Sequence, residues 1–218
     1  MSDAIEILLE LGACDGPGDA IPWVLERAPR AGLGREAQML WQICDRGDWL
    51  IWLVSHEHVS PHLADSARRL RLVACDIAEY AQPLWVARYP ADDRPQRAID
   101  MARRYARGEC SDADLREAWA AADVAGAAAV RAEEADSAVV MAGWAALAAA
   151  DAATPSAADA AMAAASWAAR AAAAAAEEWA GWAAEAWAAH ANIARTHYTW
   201  AEVRRAVEAA VWGAGGET

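Results

Sequence analysis

The sequence predicts an all-α fold: short N-terminal helices packed on a long Ala-rich antiparallel helical hairpin, anchored by tryptophan. Three observations point there. From Glu117 to Ala194 roughly half the residues are alanine, the strongest helix former. The largest apolar residues of that stretch are tryptophans; the whole chain has 13 Trp, 4 Tyr and no Phe. β-Branched residues are scarce, and no segment alternates apolar and polar residues as a half-buried strand would.

The elements follow from periodicity and punctuation. Ile5, Leu8 and Leu9 sit at helical spacing in Asp3 to Leu11, and Gly12 with Asp15-Gly16-Pro17-Gly18 ends that helix. Asp19 caps a second helix running to Arg27, and Pro29 to Gly34 is a loop. A third helix spans Arg35 to Cys44. Asp45-Arg46-Gly47-Asp48 breaks it, and Trp49 to Val54 begins a fourth. Ser60-Pro61 pairs a capping hydroxyl with proline at the first helical position, so a fifth helix is expected from there to Ala81. Its apolar stripe is Leu63, Ala67, Leu70, Ala74 and Ile77. Pro83 and Pro90 bound a connector. Asp93-Arg94-Pro95 starts a sixth helix, which Gly108 closes. Ser111 with Asp114 forms a capping box, with Asp in place of the usual Glu. The Ala-rich helix then begins, with Gly126 or Gly143 as points where it breaks or bends. Thr154-Pro155-Ser156 is its clear stop. A second long helix runs from Ser156 to Thr196, making a hairpin that turns at Pro155. Trp179 and Trp182 share one face of it, as packing or as an interface. Thr199 with Glu202 caps a last helix ending at Gly213, and the tail frays. Residues 1–110 form an N-terminal helical half and 111–218 the hairpin and last helix, expected to fold as one cooperative domain.

Composition narrows the function. All 19 basic residues are Arg, and the absence of Lys and Phe suits GC-rich coding, as in an actinobacterium or a phage of one. The net charge is −13. Residues 1–59 carry net −6, residues 60–108 net +3 and residues 109–218 net −10. Direct binding to phosphate backbones is therefore not expected. Cys14, Cys44, Cys75 and Cys110 are widely spaced with no CxxC pair, and no signal peptide is expected before them. Reduced thiols in a cytoplasmic protein are expected. The longest uncharged run, Ser137 to Ala150, is too short for a membrane span.

Chemistry-bearing residues are few. His56, Glu57, His58 and His62 have metal-like spacing, but Ser60-Pro61 lies between His58 and His62, so a surface turn is expected and no metal. His190 and His197, seven apart, can share a helical face but have no nucleophile beside them. Cys75-Asp76 sits mid-helix among apolar residues, the setting of a structural thiol. Glu133-Glu134 and Glu177-Glu178 diverge as solvated faces do. No catalytic residue, cofactor or metal is expected.

Two segments are more specific. One runs from Cys44 through Arg46-Gly47-Asp48-Trp49 to Trp52-Leu53. The other is Asp92-Asp93-Arg94-Pro95-Gln96-Arg97, continuing to Ala106-Arg107-Gly108-Glu109. Each places Arg and Asp at a helix start, where carboxylates cap free N–H groups; Arg–carboxylate forks can equally form a recognition surface. Arg46, Asp48, Trp49, Asp92, Asp93, Arg94 and Arg97 are accordingly the candidate partner-binding residues. With Cys75-Asp76 between them and the Ala-rich tail behind, these segments resemble an Ala-rich family of immunity proteins of high-GC bacteria and their phages. They are similar to the fifth immunity-protein family of polymorphic toxin systems. Gln96 departs from a common Arg of that pattern. The resemblance covers residues 35–212. It implies a non-enzymatic protein that neutralises a toxin by binding it, and it brings no catalytic residues. Two alternatives stay open. One is a phage-encoded inhibitor of a host defence complex, presenting carboxylates like a phosphate backbone. The other is a self-assembling helical protein with Ala/Trp faces as its seam. The expected partner is a protein, toxin or defence effector; a homo-oligomer is left open, and no membrane is involved.

Overall fold

The computed structural model describes residues 4–13, 20–27, 35–132, 138–150, 163, 164, 167 and 182–213. The fold is all-α, with no strand among the described residues. The helices are α1 (Ala4–Glu10), α2 (Ala20–Arg27), α3 (Arg35–Ile43), α4 (Gly47–Ser55), α5 (Ser66–Arg88), α6 (Arg94–Ala106), α7 (Asp112–Ala132), α8 (Ala138–Ala150), α9 (Trp182–His197) and α10 (Trp200–Trp212). A single 3-10 turn, η1 (Ser60–His62), stands between α4 and α5.

Helices α5, α6, α7 and α8 pack on one another as the centre of the molecule. α8 carries no charged residue and is buried on most of its surface, as a helix apolar all round must be. Ala142, Ala145, Ala146, Ala149 and Ala150 of α8 and Ala74, Ala78 and Ala81 of α5 are among the buried residues. Such small side chains let helix axes approach closely. Trp85 of α5, 1% exposed, lies against Gly143; a Cβ there would stand 2.9 Å from its ring. Gly126 and Gly143 therefore do not break the Ala-rich helix. Gly126 lies inside α7 and Gly143 inside α8, two helices that pack on each other; a Cβ at Gly126 would make ordinary contacts, whereas the missing side chain of Gly143 makes room for Trp85. On the other side of α5, α9 packs against α4 and α5, and α10 meets η1.

Two boundaries of the fifth helix differ from expectation. Ser60-Pro61 starts only the 3-10 turn, and α5 begins at Ser66 after Asp65 in a left-handed conformation (φ 52°). Leu63 is buried but precedes the helix, and Ala67 is exposed. At the other end, α5 runs through Pro83 to Arg88. Proline removes one helical hydrogen bond and crowds the carbonyl four residues back. Here that carbonyl belongs to Glu79, and both Pro83 and Glu79 lie on the exposed side, so the orphaned carbonyl is not left in the core. Burial of Trp85 beyond it holds the helix together.

The two capping boxes are realised, whereas Asp93 at the start of α6 makes no side-chain capping bond. The Ser111 hydroxyl accepts from the Asp114 N–H (3.3 Å), and the Asp114 carboxylate accepts from the Ser111 N–H (2.9 Å). Thr199 and Glu202 exchange the same pair of bonds at the start of α10. The turn at Pro155, the carboxylate pairs Glu133-Glu134 and Glu177-Glu178, Cys14, and the side chains of Trp179 and Trp182 lie outside the described residues.

Candidate functional site

The Arg46-Gly47-Asp48-Trp49 segment forms the N-terminus of α4. Gly47 is buried where the backbone of α9 crosses it: a Cβ would overlap that of His190 and stand 2.7 Å from the Ala191 nitrogen. Only glycine permits that crossing. Arg46 then folds back on its own helix start, donating to both carboxylate oxygens of Asp48 (2.9 and 2.6 Å). Its guanidinium lies over the rings of Trp49 (4.4 Å) and Trp187 (5.5 Å). The fork is partly exposed, 36% for Arg46 and 24% for Asp48. Beneath it, His190 is fully buried, edge-on to Tyr80 and Trp187 at 5.8 Å each, with neither ring nitrogen hydrogen-bonded. Burial pushes its imidazole down to about 4, opposed only in part by the charge of Asp48.

The Asp92-Asp93-Arg94-Pro95 segment forms the N-terminus of α6. Arg94 donates to both oxygens of Asp92 (2.8 and 2.5 Å), and its main-chain N–H adds a third bond (3.2 Å). These bonds hold the Asp92 carboxyl below its usual range. The Asp92 carbonyl accepts from the indole N–H of buried Trp85 (2.9 Å), so the fork is tied to the core. One turn on, Arg97 pairs with Asp93 at 3.0 Å, both well exposed. The two segments do not meet: one reaches α5 at Tyr80 and the other at Trp85, faces about 140° apart on a helix.

A third cluster joins residues that lie far apart in the sequence. Asp76 of α5 accepts from Arg103 of α6 (2.8 Å) and from His197 Nε2 of α9 (2.7 Å), and Arg103 also pairs with Glu79. Burial alone would raise the Asp76 pKa; the bonds from His197 and Arg103 outweigh it, and the carboxyl sits below its usual value. Arg69 donates to the His197 carbonyl and to both oxygens of Glu202 (3.2 Å each). That pairing, with the Thr199 bonds, draws the Glu202 carboxyl down to about 2. Cys75 and Asp76 were legible as a mid-helix pair, but the partners Arg103 and His197 lie 27 and 121 residues away. Only His197 carried a hint: seven residues from His190, it does share the face of α9 that meets α5.

Cys75 is fully buried and its thiol is pushed up to about 12 by burial. His56 and His58 stack at 5.4 Å in the turn after α4. Among the described residues no group of three His, Cys, Asp or Glu is placed to hold a metal ion, and no helix is long and apolar enough to cross a membrane. Compared with family models, curated proteins and solved structures, the chain matches none.

Proposed function

We propose that this chain is a non-enzymatic, cytoplasmic protein-binding protein of the immunity or antitoxin kind, which neutralises a partner by covering it. The observation that carries the reading is the N-terminus of α6. There Arg94–Asp92 and Arg97–Asp93 stand side by side at the surface. Arg94 and Arg97 border two neighbouring concavities, one with Arg88 and Tyr89, the other reaching α7 at Asp114 and Glu117. The Arg94–Asp92 fork is pre-organised by its own carboxylate and by Trp85, so its binding would cost little side-chain ordering. Arg46 over Trp49 offers a second patch of the residue types that dominate interface energies. At long range, the net charge of −13 attracts a basic partner, while the forks supply directional contacts.

Mimicry of a phosphate backbone calls for carboxylates in ordered rows on one face. On α7 the exposed acids Asp112, Asp114, Glu117 and Asp123 spread around the helix instead.

The test is titration against the protein encoded by the neighbouring gene, at two ionic strengths. Expected outcomes are a complex, an affinity at least tenfold weaker at 300 mM than at 50 mM salt, and a further tenfold loss in R94A/R97A with unchanged helicity. A salt-independent complex removes charge complementarity as its basis, and an unaffected double variant removes the α6 surface.

A further inference from the structure

We infer that the N-terminal helices hold a binding site for one small, neutral, single-ring aromatic molecule. α1, α2, α3, α4 and α10 enclose a half-open cavity of about 110 Å³. Five indoles, those of Trp23, Trp41, Trp49, Trp52 and Trp200, form much of its wall, and aliphatic side chains fill the rest. No charged side chain lines it among the described residues. The one thiol, Cys44, is kept protonated by burial.

The wall is braced from within. Trp23 meets Trp49 edge-on at 5.9 Å, and Trp41 lies tilted against Trp200 at 6.2 Å. Trp49 is also held from outside by Arg46. A cavity whose surface is almost wholly carbon offers water few partners, and water needs two to four. A charged or strongly polar guest would lose its hydration without compensation. Apolar cavities of comparable size, on the order of 150 Å³, stay dry and take benzene. Indole faces and edges add the offset and edge-on contacts that aromatic rings prefer over aliphatic ones. The volume admits one ring, and a larger guest would project through the open side beyond the indole walls. The site is separate from the Arg–carboxylate surface at α6 and does not depend on what binds there, although its wall residue Trp49 also belongs to the Arg46 patch.

The experiment uses the full chain, with benzene as the probe and benzoate as its charged counterpart. Thermal unfolding is followed by circular dichroism in sealed cells, and binding by saturation-transfer NMR. Benzene is expected to raise the melting temperature with increasing dose. Its dissociation constant should be about 0.1–1 mM, the range a ligand of about six heavy atoms reaches. Benzoate is expected to do neither. Two variants fill the cavity from two of its helices: Ala37→Leu on α3 and Val207→Phe on α10. Each is expected to weaken benzene binding at least tenfold while keeping the wild-type helical spectrum. If one variant does not fold, the other and the benzene–benzoate contrast still decide. The assignment is overturned if benzene leaves the melt unchanged, if benzoate binds as well, or if a folded filled variant binds like wild type. It is also overturned if a peptide with a single Phe anchor stabilises the protein where benzene does not, which would make the cavity a protein-docking pocket. Self-association abolished by the filling variants would assign the cavity to a second copy and overturn it too.

Discussion

Gly47 shows how much one missing methyl group decides. In sequence it stands in what reads as a turn between two helices, where glycine is ordinarily a matter of backbone freedom. In the structure it is a contact: the backbone of α9 occupies the space a side chain would need. Gly47→Ala is therefore expected to destabilise the protein by about 2–4 kcal/mol, because backbone rather than a flexible side-chain tip must move. Gly213→Ala is its control. Nothing lies within 4 Å of a Cβ at Gly213, and the change should stay within about 0.5 kcal/mol. Urea unfolding of both variants checks the contrast. The histidine below Gly47 makes a second prediction. Above pH 6.5 His190 is neutral in both folded and unfolded chains and stability is unaffected. As pH falls through 6.5 the unfolded chain takes up a proton that the buried ring does not take until about 4. Stability is thus lost between pH 6.5 and 4, by about 3 kcal/mol when complete. The carboxyls held low, Asp76 and Glu202, lose their stabilisation only at more acid pH, as it drops below the ordinary carboxylate range. Between pH 6.5 and 5 these two carboxyls therefore add little to the slope. His190→Phe should flatten it in urea titrations at pH 7.5, 6.0 and 5.0; an unchanged slope would show that the ring titrates normally.

Among the helices, capping chemistry was local and legible, whereas termination was not. The reciprocal bonds of Ser111–Asp114 and Thr199–Glu202 lie within four residues, so the sequence alone announces them. The ends of α3 and α9 are completed by arginines from elsewhere. Arg195 of α9 donates to the carbonyls of Trp41 (2.9 Å) and Cys44, at the last turn of α3. Arg69 of α5 does the same for the final carbonyl of α9. A guanidinium at a helix C-terminus satisfies orphan acceptors and sits favourably in the dipole field. Pro83 carries the complementary lesson: its local preference to end a helix yields to the burial of Trp85 two residues on. Arg195→Met keeps most of the side-chain volume but leaves the α3 carbonyls without their donor. It is expected to cost about 2 kcal/mol, the loss of a charge-assisted bond to a partly buried acceptor. Arg195→Lys should recover only part of this, since an ammonium cannot span both carbonyls as the fork does. Chemical denaturation of the two variants tests the order; equal stability of Met and wild type would remove the capping role.

Across the whole molecule, the fold class was legible because alanine bias and missing alternation are properties of long windows. The Ala-rich turn expected at Pro155 lies outside the described residues. The polar ties between the two halves were not legible, because their pairs join residues 121 to 154 positions apart. Sequence could mark Asp76 or His197 as unusual but could not pair them. Those same long-range pairs tie the two halves together. α9 is held to α3 by Arg195, to α5 by His197–Asp76, and to α4 by the Gly47 crossing. α10 is held to α5 by Arg69–Glu202. The buried apolar residues of α4, α5, α8 and α10 also form one continuous cluster. Breaking any one tie exposes surface belonging to both halves, so neither half gains by unfolding alone, and a single transition follows. Helicity at 222 nm and tryptophan emission should therefore give coincident urea curves. Arg69→Met, which removes the bonds to Glu202 and the His197 carbonyl and the stacking on Tyr198 (4.1 Å), should shift both curves together. The expected loss is about 2–3 kcal/mol, reflecting a partly buried charge pair broken on one side. Tryptophan emission changing before helicity in the wild type would show instead that the N-terminal helices, which carry five of the indoles, unfold as a unit of their own.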